Sequence, residues 1–69
     1  MNEIVAPNVR RIIKQNCLKQ AAIAEKAGYT PNQFSAMIKG RKIIKDTDIA
    51  RMTAALGVDA NELFKREGG

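Results

Sequence analysis

The segment from Gly28 to Gln33 constrains the fold most, because it ends one helix and begins the next. Glycine readily adopts the left-handed conformation that the residue after a helix often requires, which places Gly28 at a helix end. Thr30 is a good N-cap, Pro31 suits the first helical position, and Gln33 completes a Thr-x-x-Gln capping box. The sequence therefore predicts two short helices, residues 19–27 and 31–39, joined by a tight turn and followed by Gly40.

The second of these helices has two chemically different sides. The side predicted to face the core carries three apolar residues at spacing i, i+3 and i+4, namely Phe34, Met37 and Ile38. The opposite side has no acidic residue and is formed by Asn32, Ala36 and Lys39, flanked by Gln33 and Ser35. Such a side can simply be hydrated, but amide, methyl and ammonium groups on a short helix can also read base edges in a major groove. The capped turn before it and the basic residues after it favour base reading.

A first helix is predicted over residues 2–16. Its apolar stripe consists of Val5, Val9, Ile12 and Ile13, and its outward side of Arg10, Arg11 and Lys14. Because Pro7 is tolerated only in a first helical turn, either this helix begins near Ile4 or the segment before Pro7 is extended.

Two further helices are predicted after residue 45. Residues 46–48 offer caps for a fourth helix that ends near Leu56, with Gly57 after it, and Asp59 opens a short fifth helix whose Leu63 and Phe64 are expected to be buried. The inner side of the fourth helix is predicted to consist of Ile49, Met52, Thr53 and Leu56. Residues 1–69 are thus expected to form a single all-α domain, a compact bundle of five short helices, with a tail fraying from Lys65.

Composition narrows the possible functions. The chain has 69 residues and a net charge of +5, which indicates an anionic partner, usually either nucleic acid or a membrane surface. Cys17 is the only cysteine and there is no histidine, so we expect no disulfide, no metal site, no cofactor and no catalytic residues. Cys17 is expected to be packed, since unpaired cysteines are usually buried. No stretch is apolar enough to span a bilayer and no leader is apparent, which favours a cytoplasmic protein without a membrane partner.

Basic residues cluster after the second helix of the central pair. Four positive charges fall within seven residues, at Lys39, Arg41, Lys42 and Lys45. A cluster of this kind is often only a hydrated loop, but its position beside the proposed reading helix favours contact with DNA phosphates. Lys19, at the start of the preceding helix, either donates to a phosphate or is a tolerated surface lysine. One of Ile43 and Ile44 is expected to enter the core.

The array of spacings resembles the phage-repressor helix-turn-helix family, the lambda-repressor-like, Cro or XRE group. The resemblance rests on Gln20-Ala21-x-Ile23-Ala24-x-x-Ala27-Gly28, then Phe34, Met37 and Gly40, and later Ile49-x-x-Met52-x-x-Ala55-Leu56-Gly57-Val58 with Leu63-Phe64. It implies that Gln20 approaches a phosphate and that base edges are contacted by Pro31, Asn32, Gln33 and Ala36. It further implies that Lys39, Arg41 and Lys42 contact the DNA backbone. Lys19, from its place at a helix start, and Ser35, from its place on the flank of the reading helix, are added as flanking candidates.

Two positions depart from the pattern of that family. Family members often carry glutamine where this chain has Pro31, which has no side-chain donor, so a different base preference is expected. Many members also pair a basic residue on the first helix with an acidic one on the third, whereas the matching positions here are Ile13 and Ile38. Packed apolar groups can replace such a pair without loss of stability. Ile13 and Ile38 are therefore expected to touch.

The resemblance and the charge together predict a sequence-specific regulator of transcription, a repressor, that binds double-stranded DNA. One short helix reads few base pairs, so a homodimer on two half-sites is expected. The resemblance suggests two candidates for the dimer surface, the exposed apolar residues of the fifth helix or the segment 58–64. The setting implied is a bacterial or phage-type cytoplasm. The alternative is an antitoxin-like or adaptor module of the same fold that acts mainly through a protein partner.

Overall fold

In a computed structural model, which describes residues 2–65, the chain forms five helices and, within that range, no strand. The helices are α1 (Asn2–Gln15), α2 (Gln20–Ala27), α3 (Pro31–Ile38), α4 (Asp46–Leu56) and α5 (Ala60–Leu63). The predicted all-α bundle of five short helices is confirmed, with boundaries that differ by one residue at several ends.

A single apolar core holds these helices together. α3 packs against both α1 and α2, α4 packs against α2 and α5, and α5 returns to α1. The largest fully buried side chains are Phe34, Met37, Ile38, Met52, Leu63, Val5 and Val9. Three of these seven belong to α3, so the helix proposed to read DNA is also the one most deeply fixed in the core.

The start of α1 at residue 2 is as predicted, but neither of the two alternatives offered for Pro7 is found. The helix begins at Asn2 and continues through Pro7, which is exposed, so Pro7 lies inside the helix and not in its first turn. The predicted stripe of Val5, Val9, Ile12 and Ile13 is buried as expected.

The predicted caps of α4 are placed differently in the structure. The N-cap position is occupied by Lys45, whose backbone amide donates to the Asp48 carboxylate at 2.9 Å. Asp46 is already the first helical residue. On the inner side, Ile49, Met52 and Ala55 are buried, whereas Thr53 and Leu56, predicted for that side, are half-buried.

Cys17 is exposed, so the expectation that it is packed is wrong. The reason lies in the backbone: α1 ends in a Schellman motif, in which the Leu18 amide donates to the Ile13 carbonyl (2.9 Å) and the Cys17 amide to the Lys14 carbonyl (3.2 Å). This motif requires a left-handed residue, and Cys17 supplies it with φ of 53°. Its side chain is thereby directed outward.

Replacement of Cys17 by glycine is expected to stabilise the fold by about 1 kcal/mol, because a side chain at left-handed φ is strained and glycine is not. Urea unfolding followed by circular dichroism measures the change. Cys17→Ser is the matched control: it also removes the thiol but keeps the side chain, so its stability should stay near that of the parent. Equal stabilities of the glycine and serine variants would show that the strain is absent.

A buried amide ties the end of the chain to α1. Asn8 is only 6% exposed, and its Nδ2 donates to the carbonyls of Leu63 (2.8 Å) and Lys65 (2.6 Å), while its Oδ1 accepts from Arg11 (3.3 Å). The Lys65 carbonyl, at the start of the predicted frayed tail, is thus hydrogen-bonded, and residues 66–69 lie outside the described range. The fraying itself remains a prediction. Leu63 is buried as expected, but Phe64 is 40% exposed, contrary to its predicted burial.

The isoleucine predictions have separate outcomes. Ile44 is 4% exposed and Ile43 is 73% exposed, which confirms that one of the two enters the core. Ile13 and Ile38 are both buried in the same cluster, where α1 meets α3. Their direct contact remains a prediction.

Candidate nucleic-acid interface

The start of α3 is fixed by the predicted capping box. The Gln33 amide donates to Thr30 Oγ1 and the Thr30 amide donates to Gln33 Oε1, both at 3.1 Å. Pro31 occupies the first helical position. The first turn of α3 is therefore held by side chains of its own sequence and presents Pro31, Asn32 and Gln33 to solvent.

The capping box limits what Gln33 can read. A glutamine that pairs with adenine through two hydrogen bonds needs both its oxygen and its nitrogen. An amide oxygen has two lone pairs, but Gln33 Oε1 is turned toward the Thr30 amide, so the side chain cannot present both of its polar atoms to one base while the box is closed. Among the predicted base-reading residues, Asn32 is consequently the stronger candidate for adenine, and Ala36, half-buried in the middle of the helix, offers a methyl surface.

The end of α3 directs the chain into the basic loop. The Gly40 amide donates to the Met37 carbonyl (3.1 Å) and the Arg41 amide to the Ala36 carbonyl (2.9 Å), a Schellman motif with Gly40 at φ of 80°. Lys39, at the C-cap of α3, is exposed, as are Arg41 and Lys42 after the turn. Burial of Ile44 then draws the loop back to the core before α4 begins.

Arg10 contributes a contact that sequence reasoning missed. Its side chain is exposed, in keeping with the expected outward side, and its Nη1 also donates to the carbonyl of Ile38, the last residue of α3. Together with the three amide donors that follow the helix, which reach Ser35, Met37 and Ala36, this gives each of the last four α3 carbonyls a partner. α1 therefore fixes the end of α3 through a charged donor as well as through packing.

The N-terminus of α2 offers a second predicted contact. Lys19 precedes the helix in extended conformation (φ −90°, ψ 123°) and makes no side-chain cap, and Gln20 is the first helical residue. Both side chains are exposed. Uncapped amides at a helix start attract anions, and a lysine beside them adds positive charge. The structure thus leaves Lys19 and Gln20 able to approach a phosphate.

A cluster around Tyr29 joins the turn between α2 and α3 to α4. The Tyr29 hydroxyl donates to Asp48 Oδ1, and its ring lies 6.2 Å from that of Phe34 in a stacked arrangement. The Arg51 guanidinium lies 5.7 Å from the centre of the Tyr29 ring, within cation–π range. Sequence reasoning missed this cluster because nothing in the local pattern relates Tyr29 to residues about 20 positions later.

Both members of the Tyr29–Asp48 pair titrate abnormally. Burial, followed by the hydrogen bond to Asp48 and its charge, raises the pKa of Tyr29 from 10.0 to about 12. Desolvation raises the pKa of Asp48, but the hydrogen bonds from Tyr29 and the Lys45 amide and the charges of Arg51 and Lys45 outweigh it, so that the pKa is lowered. The folded state therefore favours a neutral phenol beside an ionised carboxylate.

The stability that this pair contributes is expected to be complete between roughly pH 5 and pH 9. Above about pH 10 the unfolded chain loses the tyrosine proton while the folded chain keeps it, so the free energy of unfolding falls as pH rises. Below about pH 4 the unfolded carboxylate takes up a proton before the folded one does, and stability falls again. Urea unfolding of the parent and of Tyr29→Phe, at pH values inside this window and on both sides of it, measures the effect. Identical pH profiles for the two proteins would contradict the assignment.

Charge distinguishes the segment that contains α3 and the basic loop after it from the rest of the chain. The segment 29–45 contains four of the basic residues and none of the seven acidic ones. Within the described residues, no helix is long and apolar enough to cross a membrane. The exposed side of α3, the loop after it and the start of α2 are thus the regions to which the predicted site residues belong.

A model of the helix-turn-helix domain family matches residues 9–63, which include every predicted site residue. Comparisons with curated proteins and with solved structures gave no match. The matched region extends from the middle of α1 to the last residue of α5. Because the match covers most of the chain, this protein belongs to the helix-turn-helix domain family.

Proposed function

We propose that this protein is a sequence-specific regulator of transcription that binds double-stranded DNA and lays α3 in the major groove. The observation that carries the proposal is the combination, on one core-anchored helix, of an exposed side without acidic residues and a following loop rich in cations. A negatively charged groove would repel carboxylates and attract those cations. The resemblance to the lambda-repressor-like group supports a repressor within this class.

The base-reading part of the site is assigned to the exposed side of α3. Asn32 pairs with adenine through its amide, and Ala36 meets a thymine methyl group. Gln33 donates one hydrogen bond while its oxygen remains in the capping box. Pro31 contributes shape without a donor, and Lys39, exposed at the helix end, reaches guanine or a phosphate.

The phosphate contacts are assigned to both flanks of the reading helix. Lys19 and Gln20 approach one strand from the start of α2, and Arg41 and Lys42 approach the other from the loop after α3. Ser35, half-buried on the flank of α3, is a further hydroxyl donor. Such contacts fix orientation and carry no sequence information directly.

Two substitutions separate base reading from phosphate contact. Asn32→Ala should lower affinity for the best duplex by about 1–3 kcal/mol and relax preference at one base pair. Arg41→Ala should weaken binding to all duplexes alike and reduce the slope of log K against log salt by about 0.9. The measurement is fluorescence anisotropy at several stated salt concentrations, with the best duplex taken from selection out of a random pool.

Lys65→Ala is the matched control for loss of a cation, because Lys65 is exposed next to α5 and pairs with Glu62 at 3.9 Å. It should leave both sequence preference and salt slope unchanged. If Asn32→Ala kept the same ratio of affinities for best and random duplex, the assignment of the reading side would be wrong. Weak binding of the parent to every duplex at physiological salt would favour the alternative, an antitoxin-like or adaptor module.

The proposal extends to assembly and setting. The protein acts as a homodimer on two half-sites about 34–36 Å apart, a spacing set by one turn of B-DNA. Residues 58–64 are the proposed dimer surface, since Phe64 is exposed there. The protein functions in a bacterial or phage-type cytoplasm, without a cofactor, and has no enzymatic activity. Light scattering with and without the selected duplex tests the dimer.

A further inference from the structure

One carboxylate, that of Asp48, holds both ends of the segment 29–45. Asp48 Oδ1 accepts from the hydroxyl of Tyr29, the residue immediately before the N-cap of α3. Asp48 Oδ2 accepts from the amide of Lys45 at 2.9 Å, immediately before α4. The two hydrogen bonds close the segment into a loop that begins and ends at the same side chain.

That closed segment contains most of the proposed DNA contacts. All four base-reading candidates lie in it, as do the basic residues that follow α3. Hydrogen bonds to base edges tolerate displacements of only about 0.5 Å, so the reading helix and the phosphate-contacting loop must keep a fixed relation to each other. A group that ties the start of the helix to the end of the loop can supply that relation.

The surroundings of Tyr29 make this tie rigid. Its ring stacks on Phe34, which is fully buried in α3, and Arg51 lies over the same ring. The ring is thus held between α3 and α4, with its hydroxyl directed at Asp48. A hydroxyl placed in this way transmits the position of α4 to the first turn of α3.

We infer that Asp48 is a positioning residue that, through Tyr29 and Lys45, sets the alignment of α3 with the basic loop and thereby sets sequence preference. The inference rests on the proposed function. It assigns to Asp48 an effect on discrimination between duplexes that is separate from the general rise in affinity expected when a carboxylate near the DNA is removed, because Asp48 itself touches no base or phosphate in this scheme.

The test compares five variants by the ratio of affinities for the selected duplex and a random duplex, at a temperature where circular dichroism shows each to be folded. Asp48→Ala removes both acceptors and should lower the ratio about fivefold to tenfold, the loss expected when one base contact weakens. Tyr29→Phe keeps the ring and should lower the ratio of affinities by a similar factor. Asp48→Asn should restore most of the preference, because its oxygen can accept from Lys45 while its amide donates to the Tyr29 oxygen.

Asp46→Ala is the charge-matched control. Asp46 lies in the same helical turn, and its carboxylate makes neither of the two hydrogen bonds that Asp48 accepts. It should raise affinity for all duplexes and leave the ratio unchanged. The double variant Tyr29→Phe with Asp48→Ala should lose no more than Asp48→Ala alone, as expected for residues that act through one link. If Asp48→Ala does not fold, the ratio of affinities measured for Tyr29→Phe tests the inference by itself.

Three results would overturn the inference: unchanged ratios for Asp48→Ala and Tyr29→Phe, an equal loss for Asp46→Ala, or no recovery in Asp48→Asn. In these cases the parent still prefers its selected duplex and the proposed function stands. If the parent itself shows no preference among duplexes, the proposed function fails and the inference fails with it. The two failures are therefore distinguishable by the parent protein alone.

Discussion

Replacement of Phe34 by alanine is expected to destabilise the fold by about 3–5 kcal/mol, the largest effect of any single substitution considered for this chain. Phe34 is 0% exposed and stacks on Tyr29, so its removal leaves a cavity at the meeting point of α3 and the turn before it. A domain of this size has a total stability of about 3–10 kcal/mol. Much of the variant should therefore be unfolded near physiological temperature, and DNA binding should be lost with the fold.

The chain offers a matched control in its other phenylalanine. Phe64 is 40% exposed, and Phe64→Ala should cost less than about 1 kcal/mol, since a truncated surface side chain leaves no cavity. Phe34→Leu should fall between the two, because it retains most of the apolar volume. Urea unfolding by circular dichroism at constant m-value gives all three numbers. A loss for Phe34→Ala no greater than that for Phe64→Ala would contradict the central place of Phe34 in the core.

Replacement of Asn8 by alanine is expected to cost about 2–4 kcal/mol. The two hydrogen bonds from its Nδ2 would be lost, and the carbonyls of Leu63 and Lys65 would be left beside α1 without that donor. Asn8→Asp should be worse at neutral pH, because a carboxylate would face two carbonyl oxygens, and its deficit should shrink as the pH is lowered and the acid becomes a donor.

Asn16 provides the comparison for Asn8. Its Nδ2 also donates to a carbonyl, that of Ile12 at 2.9 Å, but it lies on the surface at the end of α1. Asn16→Ala should therefore cost only a few tenths of a kcal/mol, since water replaces the lost donor. Hydrogen exchange of the α5 amides would accelerate in Asn8→Ala and stay unchanged in Asn16→Ala. Comparable losses in the two variants would show that Asn8 does not secure α5.

The parts of the fold that the sequence predicts well are those decided locally. Thr30, Pro31 and Gln33 fix the start of α3 within four residues, and the structure shows the same capping box. The buried set of α3 follows from its helical spacing in the same way. The glycines at 28 and 40 end their helices as predicted, because each adopts the left-handed conformation that the turn needs.

The parts that could not be predicted join residues far apart in the chain. Asn8 reaches Lys65 across 57 positions and Arg10 reaches Ile38 across 28, and in both cases the acceptor is a backbone carbonyl that has no signature in the sequence. The prediction for Cys17 was wrong for a different reason. Its burial was inferred from residue type, whereas its exposure is decided by the backbone conformation at the end of α1.

The candidate site also has features that local sequence predicts and features that it does not. The exposed positions on α3 follow from geometry, and the structure exposes Asn32, Gln33 and Lys39 as expected. The limit on how Gln33 can pair with a base was harder to predict. It arises because its two predicted roles, capping and base reading, require the same oxygen atom.

The shared oxygen of Gln33 also bears on how this protein could acquire a new target. A change at position 33 would alter recognition and also remove the hydrogen bond from the Thr30 amide to Gln33 Oε1, so retargeting through it carries a stability cost of about 0.5–1.5 kcal/mol, typical of one lost hydrogen bond. Changes at Asn32 and Ala36 leave the capping box intact. A library built to redirect this domain should therefore randomise positions 32, 36 and 39 while keeping Thr30 and Gln33 constant, and evolution of new operators is expected to follow the same route.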